Sequence, residues 1–251
     1  TIRGIAGYAH IHTKVCGSKG IIVTNGKNLT LEHLELTNAQ SGADNAAGIR
    51  HQGHGLLLRD LIVHDNYNGI LSKYAGTDTS LEKVRIENSI FYENGNTGYE
   101  HNLYLDHDQV EFINSISVSA KIGHELKMRS DEMKIQCSVL ANLDGTGSYT
   151  LDAPEHGNLS VLNSIIQQGP NTENSNTWAY GEENSNRPGR TVRFENTLFI
   201  NDLGGGYFGN VSGSAQLSFV GGAFVGAGTL FSSGPSALVT DTSLKFTSRA
   251  N

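Results

Sequence analysis

The amino-acid sequence predicts an all-β solenoid of about eight coils. Three features predict it: a short segment that recurs with a period of about 26 residues, strands of period two between the recurrences, and a composition of turns rather than helices. Gly is abundant at 30 residues, Pro is rare at 4, and only 17% of residues are charged, which suits many short strands joined by tight turns.

The recurring segments are LEHLEL, LRDLIV, IENSIF, FINSIS, IQCSVL, VLNSII, FENTLF and FVGGAF, each apolar–x–small or polar–x–apolar–x. Their third residues are His33, Asp60, Asn88, Asn114, Cys137, Asn163, Asn196 and Gly221. A sandwich would not repeat the same small or amide residue at the same corner. Stacked coils would, with coils about 4.8 Å apart and an amide column paired along the axis. That column is therefore expected to be structural and paired at a buried bend. Between the recurrences lie GIIV, GIRH, GILS, HNLY, GHELKM, SYTLD, NTWAY and GGYF, the second strand of each coil.

These repeats, with an asparagine column and inward apolar positions, resemble the right-handed parallel β-helix of the pectate-lyase-like superfamily, over about residues 15–230. The resemblance implies one domain over residues 1–251, with residues 232–251 covering the edge of the last coil. It also implies a carbohydrate-active protein, but the superfamily holds lyases, hydrolases, epimerases, esterases and tailspikes, so the reaction must be argued from residues.

Composition narrows the partners. A net charge of −7 without a basic run argues against nucleic acid, and no apolar run is long enough to cross a membrane as a helix. Cys16 and Cys137 are far apart and are expected to be buried free thiols. The abrupt start in a strand points to a trimmed or mature chain, and the substrate class to a secreted or periplasmic location.

Placing Ile49, Ile70, Leu103, Leu126 and Leu151 inward fixes three outward columns. The first reads Arg50, Leu71, Tyr104, Lys127, Asp152 and Tyr180. Two residues on it reads Gln52, Lys73, Asp106, Arg129, Pro154 and Glu182; two residues earlier, Gly48, Gly69, Asn102, Glu125 and Thr150, the glycines leaving a groove. Titratable groups concentrated on one face mark a candidate site, against the plainer reading that Lys127–Asp152 and Arg129–Asp106 pairs merely solvate a sheet. His101 and His124 are expected to point inward and stack with Tyr149.

The favoured chemistry is β-elimination on a uronate-containing polysaccharide. It needs a clamp for the carboxylate, a base for the C5 proton and an acid for the leaving oxygen. Arg129 and Arg50 would clamp, Lys127 would be a base with its pKa lowered by neighbouring cations, and Tyr104 would be the acid. Glu125 and Asp152 complete the catalytic set. Lys73, Asn102, Asp106, His101, His124 and Glu182 are expected to bind substrate, with Trp178 and Tyr180 as a sugar platform. The alternatives are a hydrolase using Asp152 with Glu125 or Glu182, a noncatalytic carbohydrate-binding solenoid, and a uronate epimerase, whose acidic-His motif YLDHD partly resembles. No cofactor is required; Asp106 and Asp108, with Asp131 and Glu132, are candidate calcium ligands. The break at residues 169–190 is expected to wall the groove.

Overall fold

A computed structural model of the chain describes residues 1–42, 45–73, 82–184, 186–241 and 243–248. It is an all-β parallel β-helix of about nine turns. Every strand pairs in parallel with the equivalent strand one coil away, giving one nine-stranded sheet and a second sheet of 18 strands that bends once within each coil. Ile49, Ile70, Leu103, Leu126 and Leu151 align in a single register and are fully buried, as the alternation required. Along the other walls Phe112, Ile135, Val161, Phe194 and Phe219 repeat the same inward position coil after coil. Toward the C-terminal end this core becomes aromatic, with Phe194 stacked on Phe219 and Phe199 on Phe224.

The recurring bend has a different physical basis from the one expected. His33, Asp60, Asn88, Asn114, Cys137, Asn163 and Asn196 all have φ between 48° and 53°, the left-handed region that Asn and Asp tolerate best. This conformation turns the side chains out, and Asn88, Asn114, Cys137, Asn163 and Asn196 are exposed. Asn196 Nδ2 still donates to Asn163 Oδ1 at 3.2 Å along that column, at an exposed position, but the buried pairing along the axis passes through the next residue. Ser115 Oγ accepts from Ser89 N, Ser138 Oγ from Ser115 N and Ser164 Oγ from Ser138 N, at 3.1–3.2 Å. Each hydroxyl also donates to the carbonyl two residues before it.

A second buried ladder lies at the corner before the nine-stranded sheet. Asn66 Nδ2 donates to Asn94 Oδ1 at 3.0 Å, and Asn94 Nδ2 to Asn102 Oδ1 at 2.8 Å. Gly48 and Gly69 face this ladder rather than a groove: a Cβ at Gly69 would collide with the Asn102 carbonyl and meet Asn94 Nδ2 at 3.0 Å.

Two further expectations change. Cys16 and Cys137 are free thiols, but both are exposed. Residues 237–240 and 245–247 pair in parallel with 216–219 and 223–225, so the C-terminal stretch covers that edge by repeating the coil rather than by a separate cap.

Candidate active site

The outer face of the nine-stranded sheet carries the candidate site. Its central column runs Arg50, Leu71, Tyr104, Lys127, Asp152 and Ala179, each paired in register with the next. The first five were expected. Ala179 stands where Tyr180 was placed, because the preceding loop delivers the strand Asn176–Tyr180 one residue out of the assumed register. Trp178 and Tyr180 therefore point inward and are fully buried, Trp178 against Phe194 and Tyr180 with its hydroxyl donating to the Gly157 carbonyl at 2.6 Å. They offer no sugar platform.

Asn102 and Glu125 also leave the face. Each directly precedes its strand, at Leu103 and Leu126, where the chain is still turning the corner, so the pleat's alternation does not yet apply. Both are fully buried. Asn102 Nδ2 and Ala120 N donate to the Glu125 carboxylate at 2.5 and 2.9 Å, joined by Asn142 Nδ2. Burial pushes Glu125 up to about 8 despite these donors. It continues the buried amide ladder and cannot reach a ligand on the outer face.

Lys127 lies between two carboxylates, its Nζ 2.8 Å from Asp152 Oδ2 and 2.9 Å from Glu183 Oε1. Burial alone would lower its pKa, but the two carboxylates outweigh burial and raise it. The neighbouring cation Arg129 is outweighed by these carboxylates, so Lys127 stays protonated at neutral pH and is not a base. Asp152 is raised by burial against the attraction of Lys127, and its other oxygen is buried without a partner.

Arg129 is bound by Glu155 and Glu183 and lies over the Tyr104 ring, 5.7 Å from its centroid. Glu183 is held down by these two cations against the opposing effect of burial. Glu182, raised by burial, accepts from the Tyr149 hydroxyl at 2.8 Å. Lys73 and Arg187 both bind Asp106, at 2.8 and 2.7 Å.

His101 and His124 stack on each other at 4.7 Å, and His124 stacks on Tyr149, as expected. The stack is buried at the outer margin of the sheet, not in the core: His101 lies flat against Tyr104, and His124 Nε2 is 3.4 Å from Asp152 Oδ2. Burial first, then nearby cations, keeps both below the usual imidazole range, His124 at about 3, so both are neutral at pH 7.

The acidic cluster proposed for calcium is occupied by a side chain. The Arg187 guanidinium contacts Asp106 at 2.7 Å, Asp131 at 3.3 Å and Asp108 at 3.6 Å. Among the described residues, no group of three or more His, Cys, Asp or Glu is arranged to hold a metal ion. In YLDHD, Asp106 faces outward, whereas His107 is buried with Nε2 on the Ser72 hydroxyl.

Sequence reasoning gave Glu155 no role and placed Glu183 and Arg187 only within the loop expected to wall the groove, yet these three organise the face. The long loop was visible, but contacts spanning 54 and 81 residues were not. Of the cations on this face, Arg50, Lys73, Lys127 and Arg129, only Arg50 has no carboxylate partner among the described residues. It is half-buried, with Nε unpartnered, and burial lowers its pKa against the attraction of Tyr104.

Fold and site together define a parallel β-helix with a charged outer face. No protein-family model, curated protein or solved structure matches the chain.

Proposed function

We propose that the protein is a carbohydrate-active enzyme of the pectate-lyase-like kind that cleaves an acidic, uronate-containing polysaccharide by β-elimination on this face. The observation that carries the reading is Arg50, a half-buried guanidinium without a carboxylate partner among the described residues, close to the Tyr104 phenol. A desolvated guanidinium in that state favours a bidentate carboxylate ligand. Neutralising the uronate carboxylate acidifies its C5 proton. Tyr104 lies between Arg50 and Arg129 and is the proton carrier. Its hydroxyl gives its proton to the glycosidic oxygen as the C4–O bond breaks, and the same oxygen takes up the C5 proton as the C4–C5 double bond forms. Lys127 and Arg129 contribute fixed positive charge rather than proton transfer. A secreted or periplasmic setting follows from such a substrate.

A second reading has a specific observation of its own. Asp152 and Glu182 both have carboxyl groups raised by burial and interact with each other, while Glu183 beside them is held ionised. Two neighbouring carboxyls that repel each other's ionisation suit glycoside hydrolysis, one keeping its proton as the acid while the other ionises as the base. Glu125, buried in the ladder, drops out of that pairing.

The test is incubation with a panel of uronate polymers while following absorbance near ~235 nm, where the unsaturated product of the elimination absorbs. Arg50→Ala and Tyr104→Phe should each lower the rate by about 100-fold or more, and Gln52→Ala should not. New reducing ends without absorbance would replace elimination by hydrolysis at Asp152 and Glu182. No turnover on any polymer would leave a noncatalytic binding solenoid.

A further inference from the structure

Lys127, on the strand Leu126–Met128, and Arg129, directly after it, converge on the same carboxylate. Each also has a partner beneath it: Asp152, with 4% of its side chain exposed, holds Lys127, and Glu155, at 14%, holds Arg129. Glu183, the carboxylate they share, differs from both. Its side chain is 42% exposed, and it comes from the loop after the strand Asn176–Tyr180 rather than from the sheet. Glu183 reaches the two cations from the solvent side, so a carboxylate arriving from solvent can exchange with it while Asp152 and Glu155 stay in place. The cations are already desolvated and held by Asp152 and Glu155, so a ligand meets them preorganised.

We propose that Lys127 and Arg129 form a carboxylate-binding subsite for the acidic glycan and that Glu183 is its displaceable internal occupant. This rests on the acidic-polysaccharide reading above. In the unliganded protein Glu183 satisfies the two cations; on binding, a uronate carboxylate takes its place and Glu183 turns to solvent. Arg50 and this subsite lie on either side of Tyr104 along the helix axis. A glycan chain running along the axis would present successive carboxylates to both. Glu183 thereby also sets specificity, because a neutral or esterified sugar cannot replace the charge that leaves.

Isothermal titration calorimetry at low salt tests this without turnover. The probes are saturated trimers of galacturonate, mannuronate, guluronate and glucuronate, with their methyl esters as neutral controls. Glu183→Gln and Glu183→Ala should bind at least one acid trimer about tenfold more tightly than the parent, the factor expected if the subsite is open about a tenth of the time. The esters should show no gain, and adding Arg129→Gln should abolish it. Thermal melts establish that each variant is folded. Equal or weaker binding by both Glu183 variants, an equal gain for the esters, or no binding of any trimer by any variant would overturn the proposal. Failure of the β-elimination reading is seen separately, as acid-trimer binding that improves in Glu183→Gln while no polymer yields the ~235 nm product.

Discussion

Replacing Lys127 by Met tests the electrostatic account of the site directly. The ammonium is largely buried, 2.8 Å from Asp152, which is itself nearly inaccessible and has one oxygen without a partner. Met keeps the volume and the outward packing but leaves Asp152 as an uncompensated buried charge. Removing one partner of such a pair costs about 3–5 kcal/mol. His124 Nε2, 3.4 Å from Asp152, and protonation of Asp152 itself both limit the loss, so about 3 kcal/mol is expected at pH 7. For a chain of this size that corresponds to a fall in Tm of roughly 6–12 °C.

The loss should depend on pH with a definite sign. Asp152 already has a raised folded-state pKa, chiefly through burial, and Lys127 is the main influence opposing that rise. Without Lys127 the pKa climbs further. A raised carboxyl contributes stability that is fully present below its unfolded value and is lost as pH rises through its folded value. The variant's deficit should therefore be small near pH 4 and grow toward pH 8. Urea unfolding across that range measures it, and Lys127→Met/Asp152→Asn should recover more than half of the loss at pH 7. A single variant within about 0.5 kcal/mol of the parent at pH 7, or a double variant less stable than the single, would refute the buried-pair account.

Other consequences can be checked alongside. Glu125→Gln should flatten the pH dependence of stability: Glu125 is raised from 4.5 to about 8 by burial, so its neutral form stabilises most below its unfolded pKa and this is lost as pH rises through about 8. Urea midpoints from pH 5 to 9 would show it. Leu126→Ala, in a fully buried inward column, should cost about 2–5 kcal/mol, whereas Ile116→Ala, 37% exposed, should cost less than about 1 in the same melts. Both Cys16 and Cys137 should react with a thiol reagent in the folded protein, and protection of either without denaturant would contradict its exposure.

Much of this was legible because a solenoid turns sequence period into spatial adjacency. Once Leu103, Leu126 and Leu151 are set inward, Tyr104, Lys127 and Asp152 must follow one another outward, and they do. The reading failed where alternation stops applying. Asn102 and Glu125 sit one residue before their strands begin, and the turning backbone carries them into the interior, where paired amides satisfy them. Trp178 and Tyr180 follow an insertion in the repeat, so their parity could not be counted from the neighbouring coil. The bend residues were recognised as a column, but which neighbour is buried depends on a left-handed φ that residue type only suggests.

The charges show a deeper limit. A strand pattern says which side chains share a face, but not what sits over them. Lys127 among Arg50, Lys73 and Arg129 looks like a lysine with a depressed pKa; under Glu183 and above Asp152 it is the reverse. Four carboxylates, Asp152, Glu155, Glu183 and Asp106, neutralise three of the four cations and leave Arg50 as the one available guanidinium on this face among the described residues. Because Glu183, from the loop after the strand Asn176–Tyr180, is shared by two of those cations, that loop determines where the face can receive an anion. The sheet supplies a row of donors, and the loop selects which of them a ligand meets first.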